Sequence, residues 1–183
     1  MRNMEQEPEM ENINEALKQE ILVMVEADQK MRKSHELDSE VDKRNTERMK
    51  DIISQYGWPG KSLVGEEGAN GAWLLIQHAD HDAEFQKQAL ELLKEAVRKG
   101  EAKKRNEAYL TDRVRVNSGQ PQVFGTQFYK DEGGVFGPRP VEDQERIEGR
   151  RKEFDLGSFS EYEQLMQAKN KEFEEREEAK KKA

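Results

Sequence analysis

The chain has 183 residues, enough for one domain with appendages, and 33% of them are hydrophobic against 38% charged. A formal net charge of −8 gives no basic footprint for a phosphate backbone, and the lack of cysteine excludes disulfides, cysteine-type zinc sites and thiol catalysis. No apolar run approaches the roughly 18 residues that span a bilayer, and the acidic start MRNMEQEPEMEN has no apolar signal core. The expectation is a soluble cytoplasmic protein that binds neither nucleic acid nor membrane.

Apolar residues concentrate between Ile13 and Phe159. This places an acidic start at 1–10, one domain over 11–165 and a charged tail at 166–183. The first helix is predicted from Glu11 to Lys33, with Ile13, Leu17, Ile21, Met24 and Val25 on one face. Continuing that stripe gives the polar Asp28 and Arg32. A second helix over Ser39 to Gln55 buries Met49, Ile52, Ile53 and Tyr56, and its face runs back to Asp42 and Asn45. Gly57-Trp58-Pro59-Gly60 breaks the pattern, and KSLVGEEGANG reads as a glycine-rich loop.

A third, nearly all-apolar helix is predicted from Ala69 to Ala79, carrying Trp73, Leu74, Leu75 and Ile76, with Gln77 and His78 near its end. Asp80 or Asp82 can cap a fourth over Ala83 to Lys99, stopped by Gly100. A short helix follows over Ala102 to Tyr109. Arg113-Val114-Arg115-Val116 then alternates, and Asn117-Ser118-Gly119-Gln120 reads as a tight turn, which predicts a hairpin over Asp112 to Phe128. In that register Asp112 and Gln127 share one face and Arg113 takes the other. A further helix is expected over 142–154, and the last, charged segment is a solvated helix or a disordered tail. The fold class is therefore mainly α (α+β): one helical domain with one small antiparallel β-hairpin and a charged C-terminal helix or tail.

The succession GWPG, LVGEEGANGAWLLIQHADHDAEFQ, YLTDRVRV and QVFGTQ resembles an uncharacterised bacterial family, domain of unknown function 6624, over roughly Asp28 to Tyr162. Its Asp-Gln…Arg element matches Asp28, Gln29 and Arg32, and its QHAD element matches Gln77, His78, Ala79 and Asp80. Its Asp-Arg and Gly-Thr-Gln elements match Asp112, Arg113, Gly125, Thr126 and Gln127. The resemblance points to a location and implies no particular activity.

Polar residues at core positions need partners, because burying an unpaired one costs about 1–3 kcal/mol. His78 is the side chain suited to proton transfer near neutral pH, and Asp80, Asp42 or Asp112 can orient it. Arg113 or Arg32 can hold an anion, and Gln77 or Gln127 can donate to an oxygen. No nucleophile stands in a recognisable elbow or triad, so acid–base chemistry of a hydrolase or lyase type is favoured over a covalent intermediate. The candidate catalytic residues are thus His78, Asp80 and Asp112, and the candidate ligand-binding residues are Asp28, Arg32, Asp42, Asn45, Gln77, Arg113 and Gln127. The expected partner is a small polar or anionic molecule. HADHD matches neither HExxH nor an EF-hand loop, so no metal or other cofactor is expected. The alternative is a non-catalytic interaction module in which the same residues form a buried hydrogen-bond network.

Overall fold

The structure, a computed structural model, describes residues 13–34 and 39–182, with seven α-helices and one two-stranded antiparallel hairpin among them. Helix α1 (Glu15–Ser34) starts where the Asn14 side chain accepts the amide of Leu17 at 3.0 Å, an N-cap bond. It buries Leu17, Ile21 and Met31, and with them the charged Asp28. Helix α2 (Ser39–Tyr56) buries Met49 and Ile52, and at its polar end Asn45 and Thr46. The residues expected to be helical at 11–12 lie outside those described.

Helix α3 (Lys61–Gln77) corrects the expected loop: the glycine-rich stretch is helical and begins just after the GWPG turn. Glu101 makes this start possible. Its carboxylate accepts the Ser62 amide at 2.8 Å and its carbonyl accepts the Lys61 amide at 3.1 Å. The glycines serve two purposes. Gly65 stands at φ 69, ψ 170 and kinks the helix in a conformation that other residues resist. Gly71 lets α1 approach, since a Cβ there would lie 3.0 Å from Ile21 Cγ2 and 3.1 Å from Val25 Cγ2. Contacts between Lys18 and Gly68, Ile21 and Gly71, and Asp28 and His78 advance together along both chains, so α1 and α3 run parallel. Together with α2, α4 and α5 they enclose the core, which includes Ile21, Met49, Ile52, Val64, Ile76, Leu93 and Leu110.

Helix α4 (Ala83–Arg98) is capped by Asp82, which accepts the Phe85 amide at 3.0 Å. Helix α5 (Lys104–Asn117) corrects the predicted hairpin. Arg113-Val114-Arg115-Val116 is helical, and so is Asp112. Asn106, Leu110 and Val114 recur every four residues, the first two buried and Val114 packed against the core, and this packing overrides the strand preference of two valines. The supposed turn is a helix stop. Gly119 takes φ 74, its amide donates to Val116 O, and the Gln120 amide donates to Arg115 O, the Schellman pattern.

The hairpin lies further on, as β1 (Phe128–Lys130) and β2 (Phe136–Pro138), with Tyr129 opposite Gly137. A 3-10 turn (Gln144–Arg146) leads into α6 (Ile147–Glu153), inside the predicted 142–154 segment. Helix α7 (Phe159–Lys182) runs from the buried Phe159 through the whole described part of the charged tail, and Lys130 pairs with Glu174 at 2.7 Å along its side. No helix is long and apolar enough to cross a membrane among the described residues.

Candidate functional site

The polar continuations of three apolar stripes meet. Asp28 and Arg32 stand one turn apart on α1, Asp42 lies in the first turn of α2, and His78 ends α3. His78 Nδ1 lies 2.9 and 3.0 Å from the two carboxylate oxygens of Asp28. Gln29 Nε2 donates to Asp28 Oδ2 at 2.8 Å, and Arg32 Nη2 donates to Asp42 Oδ1 at 2.8 Å. Arg32 Nε sits 3.1 Å from Asp28 Oδ1 and 3.0 Å from His78 Nδ1.

These distances call for a hydrogen on Nδ1. A bare Nδ1 facing a carboxylate would set two lone pairs against each other, so Nδ1 carries the hydrogen and donates to Asp28. The Arg32 Nε hydrogen then goes to Asp28 Oδ1. When the ring is neutral this leaves Nε2 as an acceptor, and among the described residues it has no hydrogen-bond partner. Two carboxylates against one guanidinium leave the cluster with one net negative charge while His78 is neutral, and none once it is protonated.

Burial gradates across the cluster. The side chain of Asp28 is 1% exposed and that of His78 16%, so the carboxylate lies beneath and the ring edge reaches the surface. Burial pushes the Asp28 carboxyl up. The hydrogen bond and charge of His78, with Gln29 and Arg32, outweigh this and hold it below the ordinary carboxylate range.

The remaining candidates fall into other groups. Asp80 accepts from Arg113 Nη1 at 2.6 Å and from Asn117 Nδ2 at 3.0 Å. Gln86, fully buried, ties this pair to α3 by donating to the carbonyls of Ile76 and Gln77 at 3.2 and 3.1 Å. Gln86 and Asn117 were not among the candidates. Gln86 carried a signal, since it stands three or four residues before Ala89 and Leu90 and seven before Leu93 on the apolar face of α4. The Nδ2 of Asn45 and the Oε1 of Gln77 are buried without a hydrogen-bond partner among the described residues, and neither bonds His78.

Asp112 belongs to neither group. Fully buried on α5, it accepts the amides of Val123, Phe124 and Thr126 at 2.7, 2.9 and 2.9 Å and the Thr126 hydroxyl at 2.9 Å. Burial pushes its carboxyl up, and these four donors only partly counter it. Gln127 joins the same segment, donating through Nε2 to Thr126 Oγ1 at 3.0 Å and through its amide to Gln122 Oε1 at 2.8 Å. Arg151 closes the assembly from α6, reaching the carbonyls of Phe124 and Gly157 at 2.6 and 2.7 Å. Asp112 and Arg113 take different partners because they are separated around a helix, and the expected sharing of one hairpin face by Asp112 and Gln127 is corrected, since no strand runs through Asp112. Among the described residues no group of three or more His, Asp or Glu is placed to hold a metal ion.

The family model for the family of unknown function DUF6624 matches residues 15–171, so the chain belongs to that family. No curated protein and no solved structure matches it.

Proposed function

We propose that this member of the family binds a small polar molecule at His78 and performs acid–base chemistry on it. The observation that carries the reading is the buried Asp28 carboxylate on Nδ1, which orients the ring and leaves Nε2 as the base. A substrate O–H or activated C–H gives its proton to Nε2, and Asp28 stabilises the imidazolium that forms. Because the cluster is neutral only with His78 protonated, an anionic ligand binds best together with a proton. Asp80 and Arg113 lie on the neighbouring α3–α4 and α5 segments and serve as secondary ligand contacts in this reading; Asp112 and Gln127 serve the fold.

A second reading rests on Arg32. Its guanidinium joins Asp28 of α1 to Asp42 of α2, so the same cluster can act as a non-catalytic brace between helices. His78→Asn separates the two, because the Asn amide can still donate to Asp28 while Nε2 is gone. The expected result is a melting temperature within about 3 °C of the parent, with loss of a small molecule that mass spectrometry detects on the purified wild-type protein. Retention by both proteins, or by neither, overturns the binding reading and leaves the brace.

A further inference from the structure

A different part of the molecule has the makings of a second site. A cavity of about 490 Å³ opens between α3, α5 and α7, inside the range of small-molecule pockets. Its wall is aromatic. Trp73 and Tyr109 meet edge to face with centroids 6.0 Å apart, and Tyr109 and Tyr162 do the same at 6.1 Å. Trp73 is fixed in place, since its indole N–H donates to the Asn106 carbonyl at 3.0 Å.

The charge lining this cavity is one-sided, and the Glu161 carboxylate lines the adjoining cavity on the other side of Arg105 and Tyr162. Lys103, Arg105 and Lys169 line the cavity and no carboxylate does. Glu66 pairs with Lys103 at 2.8 Å. Arg105 and Lys169 form no ion pair among the described residues, in a chain whose net charge is −8. Cations without acidic partners beside a rigid aromatic wall match a ligand that is planar at one end and anionic at the other.

We infer that this cavity binds a small aromatic molecule bearing a phosphate or carboxylate group. The ring lies against Trp73, Tyr109 and Tyr162, and Arg105 and Lys169 hold the anion from α5 and α7. The inference is independent of the chemistry assigned to His78.

Trp73 makes the test direct, because the chain has only one other tryptophan, Trp58. In the full-length Trp58→Phe protein, fluorescence reports Trp73 alone. Titration with adenosine monophosphate, phenyl phosphate and benzoate is expected to give saturable quenching by at least one of them, and the three arms separate phosphate from carboxylate. Adenosine and inorganic phosphate, each with half of the chemistry, are expected to bind at least about tenfold more weakly, and the binding to weaken with added salt. Arg105→Gln with Lys169→Gln, both on the exposed surface, is expected to cost about tenfold or more in affinity with an unchanged circular-dichroism spectrum. No saturation by any of the three anions at millimolar concentration overturns the inference. So does equal binding by the doubly substituted protein.

Discussion

Asp28 and Asp112 are both fully buried carboxylates, and they are held in opposite ways. Asp28 faces ionisable partners, His78 and Arg32, and its carboxyl sits below the ordinary range. Asp112 faces three backbone amides and one hydroxyl, and burial leaves its carboxyl above that range. In the first case the carboxylate fixes a neighbour that still has an open nitrogen. In the second every strong interaction ends on the segment 123–126, on three main-chain amides and the Thr126 hydroxyl. Burial alone therefore does not mark a reactive carboxylate; the partner does, and here it separates a candidate site from a structural bracket.

The largest expected effect comes from breaking the bracket. Asp112→Ala leaves three amides and a hydroxyl without their acceptor, and should lower unfolding stability by roughly 3 kcal/mol or more in urea denaturation. A loss below about 1 kcal/mol would show that the segment from Val123 to Thr126 holds itself in place.

Asp28→Asn is expected to cost less, about 1–2 kcal/mol at neutral pH, because Arg32 keeps Asp42 and the shape is preserved. Its pH dependence sharpens the contrast. A carboxyl lowered on folding contributes stability above its unfolded value of about 4, and that contribution fades as the pH falls through the folded value. The gap between wild type and Asp28→Asn should thus shrink below about pH 4. Asp112 runs the other way. Raised on folding, it favours the fold below about pH 4, and that contribution is lost as the pH rises through the folded value. Asp112→Asn should accordingly lose more against wild type at pH 4 than at pH 7, and stability curves at the two pH values read both signs.

The smallest effect is expected at the end of α7. Truncation after Lys169 removes the Lys130–Glu174 pair, which is exposed. The melting temperature should move by less than about 2 °C. A larger drop would mean that the half-exposed Phe173 and its neighbours bear on the domain.

The Asp28 cluster was legible because helical periodicity carried its polar residues onto apolar stripes. Extending the faces of α1, α2 and α3 by one or two turns reaches Asp28 and Arg32, Asp42, and His78. Asp112 stood out by the same rule, yet its role was not legible, since its partners are amides that carry no side-chain signature. The pairing of Asp80 with Arg113 spans 33 positions and leaves no local pattern. The hairpin was misplaced because four alternating residues fit a strand and one helical turn equally well. Only packing on α3 and α4 decides between them, and Gly119 ends a helix as readily as it turns a hairpin.

The parallel arrangement of α1 and α3 governs where the chain can change length. Asp28 follows Ile21 by seven residues and His78 follows Gly71 by seven, so both helices count the same two turns between the glycine contact and the imidazole. A residue inserted into one helix within that span would rotate everything beyond it by about 100° and advance it by about 1.5 Å. His78 and Asp28 would then leave each other's reach, while the apolar contacts behind them stayed in place. Single insertions and deletions are thus excluded from these two spans. The joints, such as the GWPG turn and the Asp131–Gly134 turn of the hairpin, are where added or lost residues leave the imidazole over its carboxylate.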